Sequence, residues 1–102
     1  MTDPRRGSIT AGPTVELLEL AGRRWTLRIL WELRGRTVPF NELRRVVGGM
    51  SQSVLVTRLT ELFGAGLVED VEGGYRLTAE GAALVGELAG LDAWAARWVA
   101  RR

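Results

Sequence analysis

The chain has 102 residues, 46% of them hydrophobic and 25% charged, with a formal net charge of +2, the balance of one ordinary globular domain with a modest core. It contains no cysteine and no histidine, which excludes a disulfide framework, a zinc knuckle and a thiolate nucleophile, and removes the usual general base and the commonest transition-metal ligand. No apolar run approaches membrane-spanning length and the opening residues MTDPRR lead into no signal-peptide core, so the chain is expected in the cytoplasm, without a membrane partner.

Residues 1–13 read as a flexible arm, with Asp3-Pro4, Gly7-Ser8 and Gly12-Pro13 and no periodicity. A first helix is expected after Thr14, with Val15, Leu18 and either Leu17 or Ala21 turned inward, ending at Gly22. Trp25 to Leu33 reads as a second helix, apolar nearly all round, and such helices are central. Gly35 and Thr37-Val38-Pro39 then lead into the most informative stretch, FNELRRVVGGMSQSVLVTRLTEL, from Phe40 to Leu62.

That stretch reads as two short amphipathic helices joined by a tight turn. Phe40, Leu43, Val46 and Val47 share one side of the first, with Arg44 and Arg45 on the other. Gly48-Gly49 ends it, because glycine takes the left-handed conformation at little steric cost. Ser51 caps the second helix, over 51–63, whose buried stripe is Leu55, Leu59, Leu62 and Phe63. The opposite face holds Ser53, Thr57, Thr60 and Glu61, with Gln52 near the N-terminus. A buried stripe backed by short hydroxyls and an amide suits a helix that lies against base edges. This is a helix-turn-helix pattern, and it points to double-stranded DNA.

Charge is distributed to match. Residues 23–58 hold eight arginines against Glu32 and Glu42, a local +6, while the remainder holds six arginines against ten acids, a local −4. Every basic residue is arginine, which can fork two donors onto a phosphate or a guanine edge.

After Gly64-Ala65-Gly66 the pattern becomes extended over Leu67–Glu72, then Gly73-Gly74, then Tyr75-Arg76-Leu77. A Gly-Gly pair between two such segments signals a two-residue hairpin. Thr78 caps a long final helix, about residues 78–102. The expected architecture is mainly α with a small β-hairpin (α+β). It is a winged helix-turn-helix over residues 14–102, with the final helix available for dimerisation.

The residues also resemble a known family. The run Gly22-Arg23-Arg24-Trp25-Thr26-Leu27-Arg28-Ile29-Leu30-Trp31-Glu32-Leu33 carries the likeness first, followed by Phe40-Asn41-Glu42-Leu43-Arg44-Arg45. Ser51-Gln52 with Leu55, Arg58, Leu59, Glu61 and Leu62 comes next, then Gly66-Leu67-Val68-Glu69 and Tyr75-Arg76-Leu77-Thr78 with Gly81. Together they resemble the HxlR-type regulators, relatives of the MarR regulators, over about residues 13–98. The resemblance implies a homodimeric bacterial transcription factor that binds an inverted repeat. Two departures stand out. Family members often carry a cysteine before the proline that opens the first helix, where this chain has Gly12, so thiol-based sensing is chemically impossible. The family's wing is usually longer and basic at its tip; this one carries Glu69, Asp70 and Glu72 against the single Arg76, and carboxylates repel a phosphate backbone.

The candidate DNA contacts are Arg44, Arg45, Ser51, Gln52, Ser53, Thr57, Arg58 and Arg76. Phosphate contact is favoured for at least one of Arg44 and Arg45; Gln52 suits adenine, a phosphate or the next turn of its own helix, and Ser53 and Thr57 suit the major groove or plain solvent exposure. Ser51 is first of all a cap, and Arg58 can serve either a phosphate or an ion pair with a nearby glutamate.

On the final helix Leu84, Leu88, Leu91, Ala95 and Trp98 recur at alternating steps of four and three, the spacing of a helix–helix seam. Ala82, Gly86 and Gly90 add a stripe of small side chains. The seam, together with Gly86 and Trp94, is the candidate homodimer surface; the first helix is the intramolecular alternative. Trp25, Trp31, Trp94 and Trp98 serve core and dimer packing or line a pocket for a planar small-molecule effector. No paired acids sit among apolar residues and no glycine-rich loop joins a strand to a helix, so an enzyme is not expected, nor any cofactor or metal. A winged helix used only for protein–protein contact is the alternative function.

Overall fold

Helix α2 (Thr26–Glu32) runs through the middle of the molecule, and the other elements are laid around it. The computed structural model describes residues 12–23 and 25–102. In chain order these are α1 (Pro13–Ala21), α2, α3 (Phe40–Val47), α4 (Gln52–Gly64), β1 (Val68–Val71), β2 (Gly74–Leu77) and α5 (Ala79–Arg101). The fold is the winged helix-turn-helix expected from the sequence. Of the arm expected over residues 1–13, residues 1–11 lie outside the described residues, and Pro13 already forms the first turn of α1, where its missing N–H has no cost.

The core is one cluster. Ile29, Leu30 and Leu33 from α2 meet Leu43 and Val47 from α3, Leu55, Leu59 and Leu62 from α4, and Val38, Val68 and Val85 from the surrounding elements. Met50, in the turn between α3 and α4, closes it from one side. Helix α1 contributes no buried residue. It leans on the core through Leu20, whereas Leu18, expected inward, is 52% exposed. Apolar side chains surround α1, so periodicity could not choose its inner face.

Trp25 is not the first residue of α2 but its N-terminal boundary, with φ 80°. A left-handed backbone is strained for a bulky residue. Its indole edge packs beside the backbone of Gly49, linking the start of α2 to the α3–α4 turn.

The hairpin is shifted by one residue from the expected turn. Val71 pairs with Gly74 and Val68 with Leu77, so the two connecting residues are Glu72 and Gly73. Positive φ falls at Gly73 and Gly74, and Glu72 does not share it. Gly74 answers a different demand. Val38 and Tyr75 exchange backbone hydrogen bonds of 2.9 Å in both directions, making residue 38 a one-residue third strand. A Cβ on Gly74 would collide with the Val38 carbonyl. Phe40 and Phe63 then flank the Tyr75 ring at centroid distances of 6.3 and 5.9 Å, which tie the hairpin to both helices of the motif. Phe63 was expected in the buried stripe of α4 and lies instead at its rim, 38% exposed.

Thr78 joins the hairpin to α5. Its hydroxyl donates to the Gly66 carbonyl (2.6 Å) and accepts from the Gly81 N–H (3.0 Å). Gly81 is buried where a Cβ would strike the Leu67 carbonyl. Beyond Val85, the other buried residue of α5, the helix runs on beside α2, with Leu88 and Ala95 half-buried. At 1.5 Å per residue it spans roughly 35 Å.

Candidate nucleic-acid interface

Helices α3 and α4 are joined by Gly48 and Gly49, with φ of 64° and 76°, and by Met50, whose burial anchors the turn. Ser51 follows in extended conformation. Its Oγ accepts from the Val54 N–H at 3.2 Å, the capping role read from the sequence. With the leucine stripe buried, Ser51, Gln52, Ser53, Val56, Thr57 and Thr60 are left exposed as one outer face. The face is preorganised by local bonds. Ser51 and Ser53 hydroxyls lie 3.2 Å apart, Thr57 Oγ1 donates to the Ser53 carbonyl at 2.9 Å, and Thr60 Oγ1 donates to the Val56 carbonyl at 2.8 Å. Each bond limits rotamer freedom before any partner arrives.

Most of the described arginines of residues 23–58 are engaged within the fold, where Glu61 is the one acid from outside the segment that adds to Glu32 and Glu42. Glu32 takes Arg28 (3.4 Å) and Arg36 (3.2 Å), and Arg36 reaches on to Glu42 (3.5 Å). Glu61 takes Arg58 at 2.7 Å and Arg23 at 3.3 Å. Arg34 lies 3.8 Å over the Trp31 ring. Arg44 forms no ion pair among the described residues, and Arg45 only touches Glu42 at 4.0 Å with its side chain 74% exposed. Among the described arginines of this segment, the two least engaged therefore sit on the polar side of α3, the helix that crosses the phosphate backbone in this motif.

Two sequence candidates are engaged elsewhere. Arg58 directs Nη1 to both carboxylate oxygens of Glu61 (2.7 and 2.8 Å), with its side chain only 22% exposed; of the two roles open to it, the fold displays the ion pair. Arg76 donates from Nε to Glu69 Oε1 at 2.6 Å across the hairpin register. Arg44, Arg45, Ser51, Gln52, Ser53 and Thr57 are exposed together on the motif. Val56 joins them without being among the sequence candidates, and its spacing of three from Ser53 and four from Thr60 is the signal that marks it.

The candidate dimer and ligand residues lie on and beside α5. Leu84 packs against the core. Leu88, Leu91 and Ala95 line a groove of about 290 Å³ with Leu27, Arg28, Trp31 and Asp92. Trp94 and Trp98 stack at 5.8 Å, each about half exposed. Gly86 meets nothing within 4 Å where a Cβ would stand. Within one chain the four tryptophans thus occupy three places: the α3–α4 turn, the groove, and the outer end of α5.

Fold and exposed face together define a helix-turn-helix transcriptional regulator. The HxlR-like helix-turn-helix family matches residues 20–102, and the chain belongs to that family. Among solved structures it is similar to quinone-bound YodB from B. subtilis, 32% identical, with 85% of this chain and 99% of that chain covered and a TM-score of 0.77. It is also similar to a possible HxlR family transcriptional factor from Thermoplasma volcanium GSS1, 28% identical over 90% of this chain and 88% of that one, TM-score 0.78. A regulator assigned to the MarR family, from Enterococcus faecalis V583, is 30% identical over 93% of this chain and 96% of that one, TM-score 0.74. Comparison with curated protein sequences gave no match. The family and these relatives are transcriptional regulators, so the chain is a DNA-binding regulator and not an enzyme. Among the described residues no helix is long and apolar enough to cross a membrane.

Proposed function

We propose that two copies of the chain, joined through α5, bind an inverted-repeat operator in the cytoplasm and place their α4 helices in successive major grooves. The observation that carries the DNA contact is the exposed outer face of α4, together with the exposed Arg44 of α3, which forms no ion pair among the described residues. The pairing of two copies is supported by Leu91, Trp94, Trp98 and Val99, which are 49–54% exposed on the outer half of α5. Monomeric proteins rarely leave such a contiguous apolar surface open. Two α4 helices related by a two-fold axis read half-sites about one DNA turn apart, roughly 34–36 Å.

Ligand control, in this reading, is noncovalent. YodB was solved with a quinone bound; here the absence of cysteine removes any thiol adduct, and the groove beside Trp31 between α2 and α5 is the place for a planar ligand. A ligand there touches the helix that sets the spacing of the two reading heads. The test is selection of bound sequences from a random DNA pool with the purified chain. An enriched inverted repeat is expected; enrichment of lone half-sites rules out the paired arrangement, and no enrichment at all rules out sequence-specific reading.

A further inference from the structure

The outer face of α4 carries an aliphatic side chain among its polar ones. Val56 is 48% exposed and stands outside the core cluster. It follows Ser53 by three residues and precedes Thr60 by four, which puts it beside both hydroxyls on the outer face. Phe63, the other exposed apolar side chain of α4, rests against Tyr75.

The polar atoms around Val56 are biased toward acceptors. A threonine hydroxyl has one proton, and Thr57 and Thr60 direct theirs to the carbonyls of Ser53 and Val56. Toward a groove they offer oxygen lone pairs and methyl groups. Arginine, which marks guanine by donating to N7 and O6, is withheld from this face because Arg58 is held by Glu61. Gln52 is exposed at the head of the helix, and a side-chain amide is the match for adenine.

We propose that Val56, with Thr60 one turn further along the same face, reads a thymine C5-methyl group, so that each half-site presents an A·T pair to the middle of α4. The inference rests on the docking of α4 in a major groove proposed above. Thymine is the one base that carries a methyl group on that edge. Closing an isopropyl group over it removes about one methyl from water, a difference of roughly fourfold in affinity.

Replacing dT by dU deletes that methyl and leaves base pairing unchanged. Binding of the full chain to the selected operator is measured with single dT→dU replacements at each position, for the parent, Val56→Ala and Val56→Ile. One position per half-site is expected where dU weakens the parent about fourfold, where Val56→Ala binds dT and dU alike, and where Val56→Ile still discriminates. Val56 is half exposed, so neither variant threatens the core. A tight operator that ignores dU at every position overturns the inference and leaves the docking of α4 intact. Unchanged dU sensitivity in Val56→Ala overturns it as well, since another side chain must then read the methyl. If no duplex is selected by the chain, the docking and the inference fall together.

Discussion

Exposure and partnership, residue by residue, separate side chains that the sequence presents as equals. Arg44, Arg45 and Arg58 all fall on polar positions of the motif, yet Glu61 takes Arg58 while Arg44 has no ion pair among the described residues. The capping of Ser51 was legible because it depends on its immediate neighbours alone. The fate of Arg58 was not, because it turns on which rotamer the packed helix allows. Two substitutions test this division. Arg44→Ala should weaken binding to all sequences alike and lower the salt slope, log K against log salt, by about 0.9 per protomer. Thr57→Ala should instead change the preference among bases, with overall affinity and salt slope little altered. Titrations against operator and scrambled duplex across a salt series distinguish the two; a uniform loss for Thr57→Ala would mean that α4 is docked differently.

At the level of elements, helices were easier to read than the hairpin. Helix α3 carries its apolar residues on one side and its arginines on the other, so both its limits and its inner face were legible. The turn of the hairpin was misplaced by one residue because Gly73 and Gly74 satisfy the same local rule. What separates them is a contact from far along the chain, the Val38–Tyr75 bridge. Gly74 combines φ 138° with a backbone carbonyl where its Cβ would be, whereas Gly66 has φ 75° and open space. Gly66→Ala should therefore cost only the left-handed strain, about 1–2 kcal/mol. Gly74→Ala should cost more, roughly 3 kcal/mol once the bridge to Val38 is displaced. Denaturant unfolding of both variants is the measurement, and equal losses would show that the bridge places no demand on residue 74.

For the whole molecule the decisive question is what covers the outer end of α5. Periodicity marked Leu84, Leu88, Leu91, Ala95 and Trp98 as one seam, but a repeat shows which face is apolar and not what lies against it. In the fold the face changes neighbour along its length. Leu84 meets the core, Leu88, Leu91 and Ala95 border the groove shared with α2, with Leu91 at its exposed rim, and Trp98 faces outward. Because Trp98 is half exposed in the single chain, Trp98→Asp should leave each protomer folded. Its far-ultraviolet circular dichroism should match the parent. A charge placed in a shared apolar surface is costly to bury, so sedimentation should show a monomer that binds the full operator no better than an isolated half-site. Gly86→Ala makes the complementary probe. Nothing in the protomer opposes a Cβ there, and alanine favours the helix by roughly 1 kcal/mol; a dimer weakened by this change would therefore place the partner's backbone against Gly86. If Trp98→Asp remains a dimer that binds both half-sites, α5 is not where the copies meet. The two reading heads would then be spaced by another surface, and α1, which buries no residue of its own and exposes Leu17 and Leu18, would be the next to test.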